Sequence, residues 1–138
     1  MSIFNAIGVA GTGVTVYRKW LDAVSDNIAN MNNVTRTSEN AFQARYVQAR
    51  AAQDGNGAEV AGVQLGSAEG IVTYDPDNPL ADAEGNVRRP DIDMGSQMAQ
   101  MMMAQRAYQA NLSVVDRAKE SYTAAINLLS QPRTKWPI

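Results

Sequence analysis

The chain has 138 residues, twelve basic and fourteen acidic side chains, a net charge of -2, and neither cysteine nor histidine. That composition excludes disulfides, thiolate zinc sites, cysteine nucleophiles and histidine general bases together. The basic residues are scattered, with Arg18–Lys19 and Arg88–Arg89 the only adjacent pairs, so no stripe exists for a nucleic-acid partner, and no run of 18 apolar residues is present to span a membrane.

The first element predicted is a long helix. Ile3, Ile7, Ala10, Val14, Tyr17, Leu21, Val24, Ile28 and Met31 recur at alternating steps of four and three, all apolar. This is a coiled-coil-like seam, a pattern shared by a surface helix packed on its own core. Gly8, Gly11 and Gly13, with β-branched Val9, Thr12, Val14, Thr15 and Val16, weaken the helix. The N-terminal arm therefore needs a partner surface, from the C-terminal helix or from other copies, and both termini are expected to be partly disordered until assembly. The first basic side chain is Arg18, so the N-terminus lacks the positive region of a secretory signal. A location outside the cytoplasm would need another export route.

The helix closes on SDNIANMNNV, where four of the seven residues from Asn27 to Asn33 are asparagine. Asn30, Asn32 or Asn33 can end a helix in the left-handed conformation. The remaining amides either bond to backbone or a neighbouring subunit and fix register, or are simply solvated.

The central texture differs. AFQARYVQARA (41–51) and IVTY (71–74) mix β-formers with polar residues, and Gly55, Gly57, Gly62, Gly66, Gly70 and Gly85 punctuate the region. Short strands with loops are expected. Pro90 precedes a second helix, which Asp91 or Asp93 can cap. It carries Met94, Met98, Met101, Gln105, Tyr108, Leu112, Val115, Lys119, Tyr122, Ile126 and Leu129 at the same alternation. Pro132 ends it, and a helix over 94–130 would be about 55 Å long, more than a compact domain this small can bury. The fold class expected is α+β. It comprises an N-terminal helical arm (1–34), a small β-rich insert (35–90), a C-terminal helix packed on the first as a coiled-coil-like pair (91–131), and an extended tail (132–138).

Candidate chemistry is sparse. GVAGTG (8–13) follows no strand and lacks the Lys-Ser/Thr of a phosphate loop, so close helix packing or a deliberately weak helix explains it better. YDPDNPLADAEG (74–85) holds four acids, but Pro79, Leu80 and Asn86 stand where a calcium loop needs a ligand, a glycine and a glutamate. A rigid turn through Pro76, Asn78, Pro79 and Gly85 is the reading taken. The methionines have no histidine or cysteine to join them at a metal; as adaptable gap-fillers they suit a repeated interface. Asp22 and Asp26, four apart, are solvated or pair with a base from another helix, and Trp136 offers an anchor, on a neighbour or within the chain. No catalytic residue, cofactor, metal or small-molecule substrate is assigned.

Two motifs at opposite ends carry a resemblance. Ser25-Asp26-Asn27-Ile28-Ala29-Asn30 is similar to the S-x-N-[LI]-A-N signature of the axial proteins of the bacterial flagellum, the rod and hook family. Met102-Met103-Ala104-Gln105-Arg106-Ala107-Tyr108-Gln109-Ala110-Asn111 resembles their M-x-x-x-R-x-Y-x-A-N run. The segments Tyr74–Asp82, Gly85-Asn86-Val87 and Pro90–Asp93, with the short chain, look like the proximal-rod branch. Asn86 in place of an aromatic, Met31–Val34 and the QPRTKWPI tail depart from it.

The resemblance implies a structural subunit without catalysis, exported through the flagellar type III apparatus without a cleaved signal. Its terminal helices would pack with copies of itself and other rod proteins into a tube that transmits torque across the periplasm. The membrane ring and the export-gate adaptor would be neighbours. The helix-seam residues expected at the interface are Ile7, Val14, Tyr17, Leu21, Val24, Ile28, Met98, Met101, Tyr108, Leu112, Val115, Tyr122, Ile126 and Leu129. Asn27, Ala29, Asn30, Arg106, Tyr108, Ala110 and Asn111 carry the family motifs, and Pro90 joins the turn set. Within the resemblance, another short rod subunit of the same family is the alternative; without it, the seams also suit a non-flagellar coiled-coil adaptor forming closed oligomers, and a carboxylate-based hydrolase has the least support.

Overall fold

A computed structural model describes residues 3–130. The tail, with Pro132 and Trp136, lies outside them. Helix α1 (Ile3–Asn30) is followed by strands β1 (Arg45–Ala51), β2 (Ala58–Leu65), β3 (Ile71–Tyr74) and β4 (Asn86–Arg89), then helix α2 (Met94–Ser130). The class is α+β, with two antiparallel two-stranded sheets, β1–β2 and β3–β4. Among the described residues no helix is long and apolar enough to cross a membrane.

The helices pack antiparallel, α1 lying against α2 from Gln97 to Tyr122. Phe4 meets Tyr122 edge-on at 5.4 Å between ring centroids, Gly13 lies against Asn111, Trp20 Nε1 donates to Gln100 Oε1 at 3.4 Å, and Asn27 meets Gln97. Helix α2 starts where expected because Asp93 caps it: its Oδ2 accepts the Ser96 N–H at 2.7 Å.

Helix α1 also has a second cover within the chain. The β1–β2 hairpin lies along it, with Val47, Ala49 and Ala58 facing Val16, Tyr17 and Trp20 across an apolar cavity of about 200 Å³. Both ends are tied. Thr12 Oγ1 accepts the Ala58 N–H at 3.1 Å near the hairpin tip, and Asn27 holds Arg45 at its base. The lengths match, since fifteen helical steps cover about 22 Å and six strand steps about 20 Å. A register shift beside Gln48/Ala49 leaves Ala61 unpaired. It brings Val60 and Val63 to the same hollow as Ala23, although a spacing of three would otherwise put them on opposite faces.

The second sheet lies where α1 stops and α2 begins. Thr35, five residues beyond α1, bridges Arg88 of β4, and the Arg88 guanidinium donates to the Thr37 and Glu69 carbonyls, both at 2.7 Å. The 74–85 segment folds into hydrogen-bonded turns. Asn78 Oδ1 accepts the Leu80 N–H, and Asp82 Oδ1 accepts those of Glu84 and Asn86. Gly85 has φ of 80°, and a Cβ there would meet the Tyr74 ring at 2.8 Å, so both backbone geometry and space favour glycine.

The amide clasp and the candidate assembly surface

Two features stand out: a buried polar cluster inside the helix pair, and an apolar surface left open outside it. The cluster centres on Asn27, which is 0% exposed, and Gln97, which is 2% exposed. Asn27 Nδ2 donates to the Arg45 carbonyl and to Gln97 Oε1, both at 3.0 Å. Its Oδ1 accepts the Arg45 N–H at 2.8 Å. The side-chain amide thus takes the place of a neighbouring strand's backbone and joins α1, β1 and α2 at one point.

The asparagines of the opening motif therefore divide. Asn27 is not solvated; it is a three-way clasp. Asn30 donates from Nδ2 to the Asp26 carbonyl at 2.8 Å, and Asn32 and Asn33 are exposed. The left-handed closure expected at Asn30, Asn32 or Asn33 does not occur, because among the described residues only glycines have positive φ. Asp26 pairs with Arg45 on strand β1, not with a base on another helix.

Helix α2 meets α1 through a different phase from the one its large apolar residues suggest. Gln97, Ala104 and Ala118 are buried, with Met101, Tyr108, Asn111 and Val115 half-buried between them. These positions alternate by four and three. Small or polar residues occupy every other position, Ala104 and Ala118 among them, so the axes approach closely there. At Asn111 a Cβ on Gly13 would lie 2.6 Å from its Oδ1. That accounts for one glycine of GVAGTG; Gly8 and Gly11 face open space.

Of the seam residues expected from sequence, Val24 is buried and Ile7, Val14, Tyr17, Leu21, Ile28, Met101, Tyr108 and Val115 are half-buried, whereas Met98, Leu112, Tyr122, Ile126 and Leu129 are exposed. The exposed set is one step round the helix from the closed seam, so α2 carries two seams that share Met101, Tyr108 and Val115. Within the family motifs Asn27 and Asn111 reach partner elements, while Ala29, Arg106 and Ala110 are exposed. Sequence reasoning missed Gln97, Ala104, Ala118 and Thr12; the four-three spacing from Gln97 was the signal available for the α2 residues.

The four acids of the 74–85 turn do not gather into a cluster. Among the described residues no group of three or more such side chains could hold a metal ion. Asp82 instead accepts the Asn86 N–H, which with the Thr37 hydroxyl and further turn N–H groups holds its carboxyl below the ordinary range, against the opposing effect of burial.

A two-helix core with an apolar stripe left open on its longer helix defines a class: subunits that complete themselves by lateral helix packing. The model for the C-terminal region of the flagellar basal body rod FlgEFG proteins matches residues 83–128. The chain is 33% identical over 132 residues to the flagellar basal-body rod protein FlgC of Salmonella typhimurium, covering 93% of this chain and 98% of that one. It is 29% identical to FlgC of Borreliella burgdorferi, covering 94% and 99%, and 24% identical to FlgC of Bacillus subtilis, covering 93% and 99%. The chain belongs to the family of flagellar basal-body rod proteins FlgC.

Proposed function

We propose that this protein is a structural subunit of the proximal rod, without catalytic activity, that polymerises through its terminal helices into a drive shaft. One observation carries the assembly mode: α2 closes one seam on α1 and leaves a second, through Met98, Leu112 and Ile126, exposed on the same helix. Water-facing apolar residues two heptads apart on one helix face are stabilised by a helix from a neighbour. Neighbouring rod subunits, including copies of this chain, cover that seam. Their like surfaces extend the contact into a tube, because heterologous contacts need not close.

The finer setting follows the family resemblance. The subunit crosses by the flagellar export apparatus without a cleaved signal and stands in the periplasmic space. It meets the membrane ring and the export-gate adaptor and transmits torque to the hook.

The test is a Met98→Lys/Leu112→Lys/Ile126→Lys chain as the only copy in the cell. All three positions are exposed, so the purified variant should keep its circular dichroism and melting temperature, while motility and recovery in basal bodies are lost. Normal swimming with this variant in the rod would overturn the proposal.

A further inference from the structure

The tip of the β1–β2 hairpin combines a reactive dipeptide with a tight seat on α1. Asn56 is the only asparagine that glycine follows. It is exposed, in a loop closed by the Ala52 N–H on the Gly57 carbonyl at 3.0 Å. Strand β2 begins at Ala58, so the Gly57 N–H stands outside the ladder and donates to no acceptor among the described residues. Gly57 has φ of 107° and no side chain to shield its nitrogen. The Asn56 peptide N–H is fixed on Asp54 Oδ1 at 3.0 Å. Its side chain is held only by a long bond from Nδ2 to the Asp54 carbonyl, 3.4 Å, weak enough to rotate free.

Elsewhere the same geometry is blocked. Asn32 and Asn40 are exposed too, but the N–H that follows each is occupied. Asn33 donates to the Asn30 carbonyl at 3.0 Å, and Ala41 to the Ala68 carbonyl at 2.8 Å. Asn78 precedes Pro79, which has no N–H. Asp54 also precedes a glycine, but the Gly55 N–H is held by the Ala52 carbonyl at 2.9 Å.

We propose that Asn56 is a self-modification site, and that its isoaspartate product frees the hairpin tip from α1. The Gly57 nitrogen gives up its proton and attacks Asn56 Cγ. The N–Cγ bond forms, the Cγ–Nδ2 bond breaks, and Nδ2 takes up a proton and leaves as ammonia. Water opens the resulting five-membered imide at either carbonyl, giving aspartate or isoaspartate. The net change is one water in and one ammonia out, with no oxidant or reductant. Isoaspartate routes the main chain through Cβ and lengthens it by one carbon, about 1.5 Å. That extra length falls directly before the seat on α1. Thr12 Oγ1 accepts the Ala58 N–H at 3.1 Å, and a Cβ on Gly57 would collide with the same oxygen, so the tip has no slack. The lengthened chain loses the Thr12 bond and opens the apolar cavity over Val16 and Tyr17, while Asn27 still holds the base. The inference does not depend on the rod reading.

The test ages the purified full chain at pH 8.5 and 37 °C. Peptide mapping should show Asn56 heavier by about 1 Da, at a rate at least tenfold above Asn32 or Asn40. A protein isoaspartate methyltransferase should label the aged chain and not an aged Asn56→Gln chain. In the isoaspartate fraction, amides of 58–61 should exchange at least tenfold faster than in fresh protein, and those of 45–47 at the same rate. Asn56→Asp, which has the new charge without the extra carbon, should exchange like fresh protein; Thr12→Val, which lacks the tie, should copy the aged chain. Asn56 reacting no faster than Asn32 or Asn40 would overturn the inference. So would unchanged exchange of 58–61 in the isoaspartate fraction, or equal loosening in Asn56→Asp.

Discussion

Asn27 has two N–H groups and one carbonyl oxygen, and all three are engaged at 2.8 to 3.0 Å. Asn27→Ala strands the Arg45 peptide and the Gln97 amide out of water. Leaving buried partners unsatisfied costs about 1–3 kcal/mol each. The variant should lose about 3 kcal/mol by urea unfolding, against less than about 0.5 for Asn32→Ala, which is exposed. An equal loss at both positions would refute the clasp.

Asp82 supplies a second residue-scale effect. Its carboxyl titrates lower when folded than its ordinary value of about 3.8. The charged form therefore stabilises the fold fully above about pH 5, and that contribution is lost as pH falls through the folded value. Wild type should destabilise on acidification from pH 5 to pH 3 more steeply than Asp82→Asn, measured by urea midpoint.

At the scale of the element, glycines in one helix have different reasons. Gly13 faces Asn111, whereas Gly8 and Gly11 face open space. Alanine gains about 1 kcal/mol over glycine in a helix interior. Gly8→Ala and Gly11→Ala should each raise the stability of the isolated chain by about that much. Gly13→Ala should fall short of them by at least about 1 kcal/mol, because its Cβ displaces a side chain that bonds the Ala107 carbonyl. Thermal unfolding of the three variants decides it. Gains at Gly8 and Gly11 coupled with lost motility would show that their small profile serves contacts outside the chain.

For the whole molecule, stability is uneven by construction. The centre of α2, from Gln97 to Ala118, lies on α1, and its last twelve residues are exposed throughout. In the isolated chain, amides of 121–130 should exchange far faster than those of 101–118, and assembly should slow them. Uniform protection of α2 in the monomer would contradict this.

The sequence by itself determined the two long helices, an aspartate cap at Asp91 or Asp93, the acidic turn and the motifs that place the chain in its family. Each rests on local chemistry: heptad spacing, capping side chains, proline and glycine in turns. Only tertiary structure decided which face of α2 closes inward. Gln97, Ala104, Asn111 and Ala118 are small or polar and look like solvent-facing positions in one dimension, while Met98, Leu112 and Ile126 look like core. The close approach that Gly13 permits, and the hydrogen bonds available at Asn27, reverse that order. Burial depends on what stands opposite a residue as well as on the residue itself. The hairpin's seat on α1 was hidden for the same reason, since Thr12 and Asn27 acquire their partners from strands more than fifteen residues away along the chain.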